Sequence, residues 1–163
     1  MNYENDIILF IDRQTLKKII QCIEKAAPNE ACGLIFGKIE EIKKNESENE
    51  YSYYYNAHKF KCIESSYKSP VAFLMDDYEK LIDISRLYSK DFNYQLLSIF
   101  HSHPRSAYPS GLDISYMDNY YKSNIPKFKH LIWTIMNAEY KTLNGFIFIF
   151  NELKQINVQV RNK

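Results

Sequence analysis

Apolar positions along this chain recur with two rhythms, one near every second residue and one near every 3.6, and the changes of rhythm divide it into elements. Ile7 to Ile11 is a short apolar run that reads as a first strand. Asp12 suits a helix N-cap, and Leu16, Ile19, Ile20 and Ile23 then recur at helical spacing. The pattern predicts an amphipathic helix from about Arg13 to Ala26, with Lys17, Lys18 and Lys25 on its solvated side. Pro28 has no amide hydrogen and ends it. Ala31 to Ile39 reads as the next strand, opened by Glu30, and Gly33 and Gly37 mark places where another backbone or a ligand comes close. Glu40 to Glu50 is polar and predicts an exposed hairpin loop. Tyr51 to Ala57 is aromatic-rich and predicts a half-buried strand, His58 a loop residue, and Lys59 to Pro70 a long loop of the kind that often carries function.

In the second half, Asp76 with Glu79 predicts a helix cap, and Leu81, Ile82 and Tyr88, joined by Tyr78, suit the buried face of a helix reaching about Ser89. Gln95 to Phe100 is an apolar run of strand length, and Ile114, Met117 and Tyr121 recur at helical spacing in a segment that stops before Pro126. Leu131 to Met136 predicts a buried strand, with His130 at its start in a structural role. Phe146 to Phe150 predicts another, entered from an Asn144-Gly145 turn, and Ile156, Val158 and Val160 alternate with polar residues as in a half-exposed strand. No repeat, coiled coil or second domain is visible, so residues 1–163 are expected to form a single domain.

Composition narrows the class. An apolar fraction of 45% and an aromatic fraction of 15% exclude a disordered chain, since there is ample surface to bury. A net charge of +1 with no long basic cluster gives no electrostatic case for nucleic acid. The N-terminal residues lack the positive region of a secretory signal, and the apolar run after them is too short to span a membrane. Cys22, Cys32 and Cys62 are odd in number and hold no Cys-x-x-Cys pair, so they are expected to be reduced thiols in a cytoplasmic protein.

Chemistry concentrates where Gln95 to Phe100 runs into His101-Ser102-His103-Pro104 and on to Ser110 and Asp113. Residues i and i+2 of a strand share a face, so both imidazoles point the same way if the strand continues through them. Pro104 stops the pairing. Ser110-x-x-Asp113 ahead of Ile114, Met117 and Tyr121 resembles a capping box, and taken alone that is its simplest reading. Joined to a histidine pair at the end of an apolar strand, it also supplies a carboxylate. Two imidazoles, one carboxylate and a water make an open tetrahedral zinc site.

These residues carry a resemblance to the JAMM (MPN+, JAB) metalloproteases, whose pattern is an upstream Glu, then His-x-His-Pro, then Ser-x-x-Asp. Ala27-Pro28-Asn29-Glu30-Ala31-Cys32-Gly33-Leu34-Ile35-Phe36-Gly37 resembles the family's upstream segment, Tyr54-Tyr55-Asn56 its post-strand Asn, and Phe73-Leu74-Met75-Asp76 its helix opening. The likeness spans roughly residues 7 to 150. One departure is a spacing from His103 to Asp113 one residue shorter than usual, which implies a tightened loop between Pro104 and Ser110.

The pattern of elements suggests an α/β domain with a mixed, curved β-sheet flanked by helices, and the resemblance implies the MPN, cytidine-deaminase-like fold. It further implies that His101, His103 and Asp113 hold Zn2+, that Glu30 is the general base, and that Ser110 donates to the developing oxyanion. The implied substrate is a ubiquitin-like protein or its conjugate, cut after the terminal glycine of a tail bound as an extended strand beside a sheet edge. Compact members of this kind resemble prokaryotic ones, which process ubiquitin-like sulfur carriers or reverse ubiquitin-like conjugation in defence. The alternative is a non-catalytic MPN scaffold that binds such partners. A zinc deaminase would need a Pro-Cys-x-x-Cys segment, and the chain has none. Neither the target nor the oligomeric state follows from the sequence.

Overall fold

The protein, a computed structural model, is described over residues 3–44, 50–63 and 78–162. A one-turn helix α1 (Tyr3–Asp6) leads into β1 (Ile7–Asp12) and α2 (Arg13–Ala26). The long strands β2 (Cys32–Lys43) and β3 (Tyr51–Ile63) follow, then α3 (Tyr78–Phe92), β4 (Gln95–His103) and α4 (Gly111–Lys122). A 3-10 turn (Pro126–Phe128) precedes β5 (Ile132–Asn137), β6 (Leu143–Ile149) and β7 (Glu152–Arg161). The strands close in the order β1-β3-β2-β4-β5-β6-β7, and parallel pairing of β1 with β7 completes the barrel. The expected mixed, curved α/β sheet is therefore present, with its curvature carried to closure.

Period-two alternation sorts the side chains into two cores. Leu9, Ile35, Tyr55, Leu97, Phe100, Ile132, Ile147 and Ile156 come from all seven strands, and with Ile19 and Ile23 of α2 they form one cluster. Leu34, Phe36, Ile99, Trp133, Ile135, Phe146 and Phe148 form the other, against Leu81 of α3 and Met117 and Tyr120 of α4. Ile99 thus faces the helices α3 and α4, and the residues two and four further along β4 are His101 and His103. Asp12 caps α2 as expected, accepting from the Thr15 amide at 2.6 Å.

Several elements differ from expectation. Glu40 to Lys43 is strand, paired with Tyr51 to Tyr54, because exposed charged side chains do not prevent a ladder from continuing. His58 is also strand: it is the extra residue of a β-bulge between the Phe36–Lys59 and Gly37–Ala57 pairs, and its ring stacks on Tyr94 at 5.0 Å. Lys59 to Ile63 continues β3, while the remainder of the expected loop lies outside the described residues, as do Phe73 to Asp76 and the proposed cap. Asn144-Gly145 is no turn, for both residues pair with β5. A Cβ on Gly145 would come within 2.8 Å of Val158, so close packing against β7 explains this glycine. The tight turn is Phe150-Asn151, both with positive φ (52° and 60°), as a type I′ hairpin requires.

The expectation of three reduced thiols fails. Cys22 on α2 and Cys62 on β3 form a disulfide with Cα atoms 5.8 Å apart, and buried Cys32 is the free cysteine. Packing of α2 on β3 brings together residues 40 positions apart, which spacing alone cannot reveal. The argument from free thiols for a reducing compartment goes with it. No helix among the described residues is long and apolar enough to cross a membrane.

Candidate metal centre

β4 lies between β2 and β5, so both flanks of its C-terminal end are fixed: Cys32 and Ile135 stand opposite His101. His103 is the last residue of the strand, and its carbonyl and that of Pro104 accept from the amides of Ala138 (2.8 Å) and Glu139 (3.3 Å). The loop from Pro104 then leads to Ser110 with Ala107 buried, and the Tyr108 backbone helps to raise the His103 pKa.

The short loop ends in a closed capping box. The Asp113 amide donates to Ser110 Oγ at 3.2 Å, and the Ser110 amide donates to Asp113 Oδ2 at 2.6 Å. The Ser110 hydroxyl spends its own hydrogen on the same Oδ2, also at 2.6 Å. The structural and the chemical readings of Ser-x-x-Asp are therefore compatible: the cap is what aims the carboxylate.

That carboxylate straddles the histidine pair. His101 Nε2 is 3.4 Å from Asp113 Oδ1, His103 Nε2 is 3.2 Å from Oδ2, and the two Nε2 atoms are 3.2 Å apart. Ligand atoms about 2.0–2.1 Å from a tetrahedral zinc stand about 3.3–3.4 Å from one another. These contacts use both Asp113 oxygens; with a single oxygen taken, all three donor atoms lie within 4.8 Å of one another, a grouping that could hold a metal ion. His101 and Asp113 are buried and His103 is partly buried, and this is the only such grouping among the described residues.

Charge follows the same geometry. The Asp113 hydrogen bond and charge, with Glu30 adding to them, raise the His103 pKa against the opposing effect of burial. Burial would push the Asp113 carboxyl up, but hydrogen bonds from both histidines and Ser110 outweigh it and hold the group well below the usual carboxylate range. Glu30, two residues before β2, is half-buried beside the cluster; burial raises its pKa although the fields of His103 and His101 oppose this.

The five residues singled out in the sequence therefore gather at one place, the end of β4. His58 and His130 do not: His58 stacks on Tyr94, and the His130 carbonyl accepts from the Tyr55 hydroxyl. Sequence reasoning passed over Ser102. Its hydroxyl accepts from the Ala31 amide at 2.8 Å and so ties the Glu30 segment to the histidine strand. The one signal available was its place between the two histidines.

The structure is similar to the solution structure of protein DSY2949 from Desulfitobacterium hafniense, with a TM-score of 0.66 at 20% identity, covering 96% of this chain and 94% of that one. A second similar structure is AF2198, a JAB1/MPN domain protein from Archaeoglobus fulgidus, with a TM-score of 0.48 at 15% identity over 93% of this chain and 96% of that one. No curated protein matches the chain. The sequence profile of the prokaryotic homologues of the JAB domain matches residues 12–143, a stretch that holds Glu30, Ser102, Ser110 and all three candidate ligands. This chain belongs to the prokaryotic homologues of the JAB domain.

Proposed function

We propose that the chain is a zinc-dependent peptidase or isopeptidase, its residues 1–163 acting as one JAMM-type domain, that cuts after the C-terminal glycine of a ubiquitin-like protein. The observation that carries this reading is the convergence of His101, His103 and Asp113 at 3.2–3.4 Å with a half-buried glutamate beside them. Zinc bound there supplies a Lewis acid that acidifies water and polarises an amide carbonyl. Glu30 takes the proton of the attacking water and returns it to the leaving amine, a task suited to a carboxyl whose pKa is raised by burial. Ser110, exposed at the start of α4, turns its hydroxyl from Asp113 to the oxyanion as charge develops.

An extended tail needs a strand edge. The barrel is closed, but among the described residues closure is incomplete along β3, whose pairing with β1 covers Tyr53 to Asn56 while Lys59 to Ile63 pair with β2 alone. That one-sided stretch ends opposite Cys32, itself opposite His101, and so runs toward the proposed site. A non-catalytic scaffold is the second reading, favoured by the commitment of the Ser110 hydroxyl to Asp113. Cleavage of a ubiquitin-like protein fused through its terminal glycine, by zinc-loaded and by chelated protein, decides between them: zinc-dependent release of the tail supports the hydrolase, and binding without release supports the scaffold.

A further inference from the structure

β2 and β4 are antiparallel neighbours, and their ladder runs up to Cys32 opposite His101. One residue further, where Ala31 faces Ser102, the ladder changes. The Ser102 amide donates to the Ala31 carbonyl at 3.0 Å, as in a regular pair. The return bond is irregular: the Ala31 amide donates at 2.8 Å to the Ser102 side-chain oxygen, where a regular pair would use the main-chain carbonyl. Both residues are 2% exposed, so this amide has no water to turn to and needs an acceptor. β2 begins at the next residue, Cys32, so the hydroxyl takes the Ala31 amide where the regular ladder stops. The residue before Ala31 is Glu30, released from sheet geometry and half-buried where its carboxyl senses His103, His101 and Asp113. Alternation along β4 puts Ser102 on the face opposite the two imidazoles, and its hydroxyl is linked toward the site through the Ala31 amide.

We propose that Ser102 is a positioning residue: its hydroxyl, by capturing the Ala31 amide, sets Glu30 over the cluster of His101, His103 and Asp113. The kinetic part of this proposal rests on the hydrolytic reading above, and the positional part does not. The zinc ligands sit on β4 and α4, whereas Glu30 belongs to the connection from α2 to β2. The Ala31–Ser102 pair joins these two units 71 residues apart in sequence.

The test uses zinc itself as the probe. Wild type, Ser102→Ala and Ser102→Thr, carrying 13C-labelled glutamate and histidine side chains, are titrated with zinc and followed by NMR, Glu30 being assigned with Glu30→Gln. Zinc is expected to move the imidazole signals of His101 and His103 in all three proteins. It should move the Glu30 carboxyl signal in wild type and Ser102→Thr, and leave it unmoved in Ser102→Ala. Turnover of a ubiquitin-like fusion should fall about 10²-fold in Ser102→Ala, the cost of a misplacement of about 1 Å, and recover in Ser102→Thr. Ser102→Ala should add no loss on top of Glu30→Gln, since a residue acting only through Glu30 has nothing left to position. A Glu30 signal that answers zinc equally in wild type and Ser102→Ala, or in neither, overturns the proposal, and so does a multiplicative loss in the double variant. If Glu30 responds as expected yet zinc-loaded wild type cuts no fusion, the hydrolytic reading fails and the positional assignment stands. Should Ser102→Ala not fold, Ser102→Cys, close in shape and a far weaker acceptor, is read by the same criteria.

Discussion

One hydroxyl at Ser110 serves two masters, and substitution separates them. It accepts from the Asp113 amide at 3.2 Å and donates to Asp113 Oδ2 at 2.6 Å. Ser110→Ala deletes the cap and should cost roughly 0.5–2 kcal/mol. The Ser110 main-chain amide still donates to Oδ2 at 2.6 Å, so the carboxylate stays aimed and zinc is still bound. Ser110→Asp behaves differently from its standing as a good cap residue. Where the hydroxyl hydrogen now meets Oδ2, a second carboxylate would stand, and two unit charges about 4 Å apart repel by roughly 1–4 kcal/mol between bulk-water and protein-surface dielectrics. That repulsion meets or exceeds what the cap contributes. The metal-free Ser110→Asp protein should therefore melt below wild type, by about 2–4 °C per kcal/mol lost in a chain of this size. Zinc should recover much of the difference by neutralising the pair. Differential scanning calorimetry with and without zinc measures both effects. Metal-free Ser110→Asp melting with wild type would refute the hydroxyl-to-carboxylate bond as an energetic feature. In cleavage, zinc-loaded Ser110→Ala should lose about 10²–10³-fold if the hydroxyl serves the oxyanion, and normal turnover would leave Ser110 as a cap alone.

The remaining predictions follow from charge and covalent connectivity. Zinc should bind once per chain and more weakly as pH falls, because the raised pKa of His103 makes its proton a stronger competitor; calorimetric titration across pH shows this, and pH-independent affinity would rule His103 out as a ligand. Glu30→Gln should keep zinc and lose about 10²–10⁴-fold in turnover, the range credited to general acid–base catalysis. Burial raises the Glu30 pKa, so folding favours its protonated form and stability declines as pH rises through that window. Metal-free Glu30→Gln should accordingly be at least as stable as wild type at neutral pH, and a lower melting temperature would show that the carboxylate is held favourably. Reducing Cys22–Cys62, which closes a loop of 40 residues, should cost on the order of 4 kcal/mol by the chain-entropy estimate, read as a fall in melting temperature with a reductant present.

What the sequence made legible was local. Period-two and helical spacings placed β1, α2 and the histidine strand, because alternation and capping act over a few residues, and the Ser-x-x-Asp box reads directly from four. What it hid was pairing at a distance. The disulfide depends on α2 lying against β3, and no spacing between Cys22 and Cys62 encodes that. The Asn144-Gly145 dipeptide misled because a glycine suits a tight turn and a crowded strand equally well, and only the neighbouring Val158 decides between them. Glu30 shows the same division within the site. Its composition and neighbourhood in sequence fit a surface residue, and family likeness alone singled it out. In the folded chain it is half-buried beside the imidazoles, brought there through a ladder whose last bond is made by a serine hydroxyl. A histidine pair one residue apart is a local signal, but the residue between them acts on a partner strand. If the motif is catalytic as proposed, its meaning reaches past the candidate ligands: Ser102 lies on the face opposite the imidazoles, and from there its hydroxyl holds the Ala31 amide next to Glu30.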